Sequence, residues 1–241
     1  MADLHIAICE DDNQEYDLLS QILKESSVDV EWERFSDGPS FLAQFYQGRY
    51  DLILMDIYMT GMTGVEAVSH IREQDSIVPI AFITTSLDHA MDGYRYHVNR
   101  YLQKPLRRED IEEVLLLALK EQKNAPGVQV RTPEGQLNVP FSHIRYVEQV
   151  NHDLNFMLTG GRVYSMRGKL DEVAPRFPAP PFFRCHKSYL VNLSQIKRPD
   201  RELCVFEMNE GGMAYIRRDS LKEALSAYER YMFDQVRRSG L

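Results

Sequence analysis

The chain has 241 residues, of which 44% are hydrophobic and 27% are charged, and its formal net charge is −8 at pH 7. This ordinary globular composition excludes a disordered or collagen-like chain, and the length predicts one large or two modest domains. The longest apolar runs, at residues 52–55 and 114–119, are far too short to cross a bilayer, and the N-terminus is not typical of a signal peptide. We therefore expect a cytoplasmic protein that has no membrane partner.

The first half of the chain alternates short apolar strands with amphipathic helices. The five predicted strands cover residues 4–8, 30–34, 52–55, 80–83 and 100–102. The five predicted helices cover residues 14–24, 39–46, 65–72, 90–97 and 108–123. Because each strand is followed by a helix, the pattern predicts an α/β fold with a doubly wound, five-stranded parallel sheet. The functional site of such a sheet lies where the strands end.

A change of pattern follows the last of these helices. The residues Asn-Ala-Pro-Gly at 124–127 break the helix, and we interpret them as a linker between two domains, residues 1–123 and 128–241. The second domain is predicted to be mostly β, because short apolar runs alternate there with turn residues. Its predicted strands cover residues 128–131, 137–140, 144–150, 154–158, 162–165, 188–192, 203–207 and 214–217, and a terminal helix is predicted at 220–236.

Charge is distributed unevenly between the two halves. Residues 1–125 contain 23 acidic and 11 basic residues, whereas residues 126–241 contain 13 acidic and 17 basic residues. An acidic half joined to a basic half is typical of a regulatory domain linked to a domain that binds a polyanion. Chance scatter of surface charge gives the same numbers, so the asymmetry is only a hint.

Acidic, hydroxyl and basic side chains follow the predicted strands of the first half. Glu10 and Asp11 follow the first strand, Asp56 the third, Thr84 the fourth and Lys104 the fifth. In a parallel sheet these ends meet at one edge, so several carboxylates converge and require a cation. Mg²⁺ prefers oxygen ligands and keeps positions open for phosphate oxygens, and a lysine can neutralise a further one. The set indicates transfer of a phosphoryl group to a carboxylate.

Five motifs occur in order through this half of the chain. They are IAICEDD at residues 6–12, LILMD at 52–56, a glycine at 64, IT at 83–84 and YLQKP at 101–105. With these motifs the first half resembles the receiver domain of two-component response regulators, which has a flavodoxin-like fold.

The resemblance implies a role for each of the residues at the strand ends. Asp56 is the implied phosphate acceptor, and Lys104 is the implied contact to the phosphate. Thr84 and Tyr101 are the implied switch pair. The implied ligands of Mg²⁺ are Glu10, Asp11, Asp56 and the backbone carbonyl of Tyr58.

Two neighbouring residues receive a separate interpretation. Thr60 stands where the family usually has proline, which concerns the conformation of the loop after the acceptor strand rather than the chemistry. Asp12 follows the acidic pair, and we interpret it as the N-cap of the helix at residues 14–24 rather than as part of the site.

Basic and small polar residues of the second half cluster at three predicted loops or strand edges, residues 151–153, 184–188 and 216–218. The sequence shows neither a helix-turn-helix pattern nor the spacing of a zinc finger. Binding to DNA would therefore use loops, whose long basic side chains reach bases and phosphates. A solvated basic face on a β domain explains the same residues.

The segment FFRCHKSYLVN at 182–192, continued by LSQI at 193–196, is similar to the signature of LytTR DNA-binding domains. IRYVE at 144–148, GKL at 168–170 and residues 216–218 fit the same family, so the resemblance covers residues 128–236. It implies a mostly β fold that inserts loops into successive major grooves. The implied DNA contacts are Asn151 or His152 in a first loop, Arg184, His186, Lys187 and Ser188 in a second, and Arg217 and Arg218 in a third.

The three cysteines, Cys9, Cys185 and Cys204, are too few and too scattered for a disulfide framework or a zinc site. Cys185 lies beside Arg184 and His186, and neighbouring cations can lower the pKa of a thiol and make it sensitive to oxidation. Cys185 and Cys204 are therefore candidates for a redox input. We favour a buried structural role for Cys185, because free cysteine behaves mostly as a small hydrophobic residue.

Together these observations predict a response-regulator transcription factor rather than an enzyme. A sensor histidine kinase would phosphorylate Asp56, and the chain would then dimerise and place two basic domains on promoter DNA. In the alternative, the phosphorylation-controlled second half binds a protein or RNA partner. A catalytic second half is not favoured, because residues after 128 show no nucleophile–base pair and no cluster of carboxylates.

Overall fold

The computed structural model describes residues 4–85, 98–132 and 135–238. The chain divides into two compact units, Met1–Gln122 and Lys123–Leu241. Among the described residues, no helix combines the length and the apolar character needed to cross a membrane.

The first unit alternates strands and helices, as predicted. Its strands are β1 (Leu4–Cys9), β2 (Val30–Phe35), β3 (Leu52–Asp56), β4 (Ile80–Thr84) and β5 (Arg100–Gln103). Its described helices are α1 (Asn13–Lys24), α2 (Gly38–Leu42), α3 (Gly64–Gln74) and α4 (Arg108–Asn124). The helix predicted at residues 90–97 lies outside the described residues.

The five strands form one parallel sheet in the order β2-β1-β3-β4-β5. Because successive side chains of a strand point to opposite faces, β1 contributes to two separate cores. Leu4, Ile6 and Ile8 pack on the side of α1 and α4. Ala7 and Cys9 pack on the side of α2 and α3. The doubly wound sheet is thereby confirmed, and its strand order reverses between β1 and β3, where such sheets bind ligands.

Helix α2 ends at Leu42, four residues before its predicted end. Phe41 and Phe45 are both buried, so the apolar spacing that predicted a longer helix has a packing role. The spacing between these two residues comes from a single turn after α2. In that turn the N–H of Gln44 donates to the carbonyl of Phe41, three residues earlier, so the winding is tighter than in an α-helix. Gly48, at φ 76°, then redirects the chain towards β3 with a backbone conformation that favours glycine.

At the amino end of the sheet, Asp51 joins the start of β1 to the end of α4. One oxygen of its buried carboxylate accepts the backbone N–H of His5 at 2.7 Å. The other accepts the side-chain amide of Gln122 at 2.7 Å. The last turn of α4 is therefore attached to the edge of the sheet opposite to the strand ends that carry Glu10 and Asp56.

The second unit is mostly β with a terminal helix, as predicted. Its strands are β6 (Gly127–Thr132), β7 (Gly135–Pro140), β8 (Ile144–Val150), β9 (Asp153–Leu158), β10 (Val163–Arg167), β11 (Phe182–His186), β12 (Tyr189–Asn192), β13 (Ile196–Asp200), β14 (Val205–Met208) and β15 (Met213–Tyr215). Its helices are the short α5 (Leu170–Val173) and the terminal α6 (Leu221–Arg238).

A central antiparallel sheet, in the order β10-β9-β8-β12-β11, separates two cores. Ile144 and Val147 of β8 face the β6–β7 hairpin and α5. Tyr146 faces a second core that includes residues of α6 and of the three-stranded sheet β13-β14-β15.

Strands β11 and β13 were not predicted from the sequence. Lys197 and Arg198 of β13 are exposed, and Pro199 interrupts any apolar alternation. Proline is tolerated there because β13 is an edge strand of its sheet. The polar character of β13 thus reflects its position at an edge, which a local sequence pattern does not reveal.

Candidate functional sites

The carboxyl ends of β1 and β3 bring three acidic side chains together. Glu10 and Asp11 directly follow β1, and Asp56 is the last residue of β3. One carboxylate oxygen from each of the three lies within 4.8 Å of the others. Glu10 and Asp56 are buried and Asp11 is half-buried. The predicted convergence of acids at the point of strand reversal is therefore what the structure shows.

Lys104 joins this cluster from the end of β5. Its ammonium lies 2.9 Å from an oxygen of Glu10 and 2.9 Å from Oδ2 of Asp56. Its backbone N–H donates to the carbonyl of Thr84, which fixes the start of the loop beside β4. Burial works to lower the pKa of Lys104, but the hydrogen bonds to the two carboxylates outweigh burial and raise that pKa. Lys104 is therefore a held positive charge directly beside Asp56.

The protonation of Glu10 is strongly affected by its surroundings. Burial raises the pKa of Glu10 to about 7, with a further contribution from the charge of Asp56, while the hydrogen bond from Lys104 opposes this rise. Three carboxylates beside one ammonium leave an excess of negative charge, which a divalent cation would neutralise. All three donors are carboxylate oxygens, the ligands that Mg²⁺ prefers. The residues present thus fit a hard divalent ion.

The loop after β3 closes tightly around the Asp56 backbone. The N–H of Tyr58 donates to Oδ1 of Asp56 at 3.0 Å. The N–H of Gly64, at the start of α3, donates to the carbonyl of Ile57. A Cβ atom at position 64 would lie 2.1 Å from the backbone oxygen of Asp56. The glycine of the motif is therefore required by a close approach of α3 to the strand that carries Asp56.

Asp11 has a partner that the sequence did not predict. Its Oδ2 accepts two hydrogen bonds from Thr60, one from the backbone N–H and one from the hydroxyl, each at 2.9 Å. The residue types at 58–64 gave no signal for this contact, because it joins two loops that are far apart in the chain. The one feature of the sequence that pointed to this loop was Thr60 itself, which stands where the family usually has proline.

Thr84 and Tyr101, the predicted switch pair, lie on neighbouring strands. Thr84 is fully buried at the end of β4, one residue beyond Ile83, which is the partner of Asp56 in the parallel register. Tyr101 is half-buried on β5 opposite Phe82, and the two ring centroids are 5.5 Å apart. The structure therefore places Thr84 at the acid edge of the sheet and Tyr101 within the second core of the unit.

Asp12 has the N-cap role that was predicted for it. Its side chain accepts the backbone N–H groups of Gln14 and Glu15 at 2.7 and 3.0 Å, at the start of α1. These bonds lower the pKa of Asp12, with the bond to Glu15 having the larger effect. Its carboxylate is thereby committed to the helix.

In the second unit, two of the predicted contact segments lie at the same end of the central sheet. Asn151 and His152 form the exposed turn between β8 and β9. Lys187 and Ser188 form the turn between β11 and β12. Since β8 and β12 pair antiparallel, these turns are adjacent, and the N–H of Gln149 donates to the carbonyl of Ser188 at 2.8 Å.

The third predicted segment joins the second one. The N–H of Arg217 donates to the carbonyl of Cys185 at 3.0 Å. Arg217 and Arg218 are exposed, and they line an open groove of about 460 Å³ together with His186 and Ser188. Arg218 forms no ion pair with the described residues, whereas Arg217 lies 3.1 Å from an oxygen of Asp219. The structure thus gathers the basic segments at one surface.

Arg184 and His186 are partly engaged inside their own turn. The Arg184 guanidinium donates to the backbone carbonyls of His186 and Lys187 and to Asp171, 2.8 Å away. Nδ1 of His186 accepts the N–H of Ser188 at 3.1 Å. Burial, followed by the charges of Lys187 and Arg184, lowers the pKa of His186. Arg184 and Nδ1 of His186 therefore both help to shape the turn that carries Lys187 and Ser188.

Cys185 is a buried side chain, in agreement with the interpretation favoured from the sequence. It is 1% exposed, and its thiol contacts the carbonyls of Tyr189 and Tyr215. Burial raises the pKa of Cys185 to about 12, against the opposing effect of the Arg184 charge. A thiol in this state is a poor nucleophile at neutral pH. Cys185 and Cys204 are both free thiols.

Comparison with known proteins identifies both units. The family model of the response regulator receiver domain matches residues 6–116, and that of the LytTr DNA-binding domain matches residues 134–229. The transcriptional regulatory protein YpdB of Escherichia coli K12 is 27% identical over 208 residues, which cover 80% of this chain and 85% of YpdB. The sensory transduction protein LytT of Oceanobacillus iheyensis is 23% identical over 203 residues, which cover 80% of this chain and 82% of LytT.

Among solved structures, the receiver domain of the sensor histidine kinase PA1611 from Pseudomonas aeruginosa PAO1 covers 48% of this chain and 98% of its own, with 24% identity and a TM-score of 0.44. That structure has a magnesium ion coordinated in its active site cleft.

The parallel sheet with acids and a lysine at its carboxyl edge places the first unit in the receiver class. With its second unit matched as well, the chain belongs to the LytTR family of two-component response regulators.

Proposed function

We propose that this response-regulator transcription factor is phosphorylated on Asp56 by a sensor histidine kinase and then binds promoter DNA through the turns of its second unit. The observation that carries the proposal is the ammonium of Lys104 beside the buried carboxylates of Asp56 and Glu10. A buried acid that is next to a held positive charge and at the mouth of a parallel sheet is suited to accept an anionic group.

In the proposed reaction, an Asp56 carboxylate oxygen attacks the phosphorus atom of a phosphohistidine on the kinase. An O–P bond forms, the P–N bond breaks, and its electron pair stays on the imidazole nitrogen. Lys104 offers its charge to a phosphoryl oxygen, and the N–H of Tyr58 holds the carboxylate orientation beforehand. Glu10, Asp11, Asp56 and the backbone carbonyl of Tyr58 would hold a Mg²⁺ ion, which would supply positive charge to the phosphoryl oxygens.

The proposed switch is a response to the charge that the phosphoryl group adds. Thr84 ends the strand next to Asp56, so its hydroxyl is the proposed donor to a phosphoryl oxygen. Tyr101, on the adjacent strand β5, is the proposed second member of the pair. Movement of these two residues changes the surface of the receiver unit and favours a dimer of two phosphorylated chains.

Dimerisation would present two second units to neighbouring DNA sites and raise the affinity through bivalency. The proposed DNA contacts are exposed or half-buried residues at the shared end of the central sheet. These are Asn151, His152, His186, Lys187, Ser188, Arg217 and Arg218. For Arg184 we propose a positioning role, since its donors hold the carbonyls of the turn that presents Lys187.

Fluorescence anisotropy with a labelled pool of random duplex DNA tests the proposal. Binding is measured at two salt concentrations, with and without Mg²⁺ and beryllofluoride, which mimics a phosphoryl group on aspartate. We expect salt-sensitive binding that tightens with the mimic and is weakened in Arg218→Ala. Binding that single-stranded RNA displaces better than duplex DNA, or no DNA binding in either state, would instead support the alternative of an RNA or protein partner.

A further inference from the structure

Asp11 is held differently from the other two acids of the cluster. Glu10 and Asp56 share the ammonium of Lys104, at 2.9 Å each. Asp11 forms no ion pair within the part of the chain that the structure describes, and its charge is met by the two donors of Thr60. Thr60 thus provides for Asp11 the hydrogen bonds that Lys104 provides for the other two carboxylates.

The contact joins two loops at the acid edge of the sheet. Asp11 lies between β1 and α1, and Thr60 lies between β3 and α3. Both hydrogen bonds end on Oδ2, so the carboxylate is fixed in orientation. Its Oδ1 accepts no hydrogen bond from the described residues and remains for another ligand.

The residue type at position 60 decides whether this contact exists. Threonine supplies a backbone N–H and a hydroxyl, and both donate to Asp11 at 2.9 Å. Proline, the usual residue at this position of receiver domains, has neither donor. The acid cluster of this chain therefore has a support that a proline-bearing loop lacks.

We infer that Thr60 is a positioning residue for the divalent cation, because its two donors hold the Asp11 carboxylate in its ligand orientation before the cation arrives. The inference rests on the proposed metal-binding function of Glu10, Asp11 and Asp56. It assigns to Thr60 a role in metal affinity and none in the transfer of the phosphoryl group itself.

Two effects of the Thr60 bonds on metal affinity oppose each other. The donors withdraw some charge from the carboxylate, which weakens its attraction for a cation. They also remove the rotational freedom of a half-buried side chain among like charges, which strengthens binding. Loss of a hydrogen-bonding partner behind a metal ligand typically weakens metal affinity by about 10- to 100-fold, so orientation outweighs charge withdrawal.

The test is a titration of the full chain with MgCl₂, followed by amide chemical shifts in nuclear magnetic resonance spectra. Thr60→Val removes the hydroxyl donor and keeps the N–H, and we expect it to weaken Mg²⁺ binding roughly tenfold. Thr60→Pro removes both donors and has a larger effect, whereas Thr60→Ser keeps both and restores the affinity. Thr132→Val, in the second unit, is the matched control and leaves the affinity unchanged.

A positioning role predicts a further result that a general loss of structure does not. At low Mg²⁺, Thr60→Val is phosphorylated more slowly by acetyl phosphate than the native chain. At saturating Mg²⁺ its rate returns to within about twofold of the native rate, because metal occupancy alone was affected. A rate that stays low at saturating Mg²⁺ would overturn the assignment to metal affinity.

The Asp11→Asn variant separates failure of this inference from failure of the proposed site. If Asp11→Asn loses Mg²⁺ affinity while Thr60→Val and Thr60→Pro bind as the native chain does, the metal site stands and the role of Thr60 is wrong. If Asp11→Asn also binds Mg²⁺ with native affinity, the proposed metal site is wrong and the inference falls with it.

Discussion

The ammonium of Lys104 lies 2.9 Å from Oδ2 of Asp56, although the two residues are 48 positions apart in the chain. Both side chains are at most 10% exposed, so water screens this pair weakly. The pair sets an ammonium charge directly beside the carboxylate that is proposed to accept the phosphoryl group. It also means that Lys104 has a structural effect that can be measured without any phosphate donor.

We expect Lys104→Met to lower the free energy of unfolding of the first unit by about 3 kcal/mol at pH 8 without metal, since breaking a buried pair leaves uncompensated charge. Loss of the lysine also raises the pKa of Glu10 above its native value of about 7. Glu10 then takes up a proton as the pH falls, so the loss is smaller at pH 6.

Urea denaturation followed by the fluorescence of Trp32, the single tryptophan of the chain, reports on the first unit. Lys120→Met, at an exposed lysine of α4, is the control and changes stability by less than about 0.5 kcal/mol. An equal loss at pH 6 and pH 8 would contradict the coupling of Lys104 to Glu10.

Asp56→Asn is expected to abolish incorporation of acid-labile phosphate from acetyl phosphate, because an amide lacks the nucleophilic oxygen anion. Labelling is followed by the mass of the intact protein. Asp17→Asn, at an exposed acid of α1, keeps normal labelling. Native labelling of Asp56→Asn would show that the acceptor is another residue.

Gly64→Ala is expected to destabilise the first unit by about 3 kcal/mol. The added Cβ would meet the backbone oxygen of Asp56 at 2.1 Å, and backbone has little freedom to move away. Gly61→Ala is the comparison, since nothing lies within 4 Å of its added Cβ and only its φ of 87° imposes a cost of about 1 kcal/mol. Urea denaturation that ranks the two variants in the opposite order would contradict this reading of the loop.

Arg218→Ala and Lys187→Ala are each expected to weaken binding to duplex DNA and to reduce the slope of log Kd against log salt concentration by about 1. Each variant removes one exposed cation from the shared end of the central sheet. Arg201→Ala is the control, because this exposed arginine lies in the turn between β13 and β14, 3.6 Å from Glu229. Unchanged salt slopes would show that these two cations are exposed side chains that do not contact DNA phosphates.

His186 is expected to titrate below its usual pKa of 6.5, since burial and the charges of Lys187 and Arg184 disfavour the imidazolium. Lys187→Ala moves the pKa of His186 upward by removing one of these charges. The unfolded chain binds the proton at a higher pH than the folded chain, so this histidine reduces stability as the pH falls through about 6.5.

Nuclear magnetic resonance titration measures that pKa directly. The amide of Ser188 should shift with the same midpoint, because protonation of Nδ1 removes its acceptor. Independent titration of His186 and of the Ser188 amide would show that the bond between them is absent.

The acid cluster could be predicted from the sequence because Glu10, Asp11 and Asp56 lie at the carboxyl ends of two predicted parallel strands. Parallel strands bring their carboxyl ends to the same edge of a sheet. It did not predict the contact between Thr60 and Asp11, which depends on how two irregular loops approach each other in space. In the second unit, the terminal helix was predicted, whereas β13 was missed because its exposed lysine and arginine resemble a loop. Periodic elements with a buried face are readable from sequence, and edge strands and loop contacts are not.

The attachment of Gln122 to Asp51 separates the chemistry from the exit of the chain. Asp51 accepts the N–H of His5, and its other oxygen accepts the side-chain amide of Gln122. His5 and Glu10 are five residues apart along β1, which at about 3.3 Å per residue is a distance of roughly 16 Å. Helix α4 runs from Arg108, shortly after Lys104, to Asn124, just past Gln122, where the second unit begins. A conformational change that is transmitted along the polypeptide from the acid cluster to the second unit therefore has to pass through the whole of α4. Loosening the C-terminal end of α4 would leave phosphorylation of the first unit intact and would prevent the change from reaching the second unit.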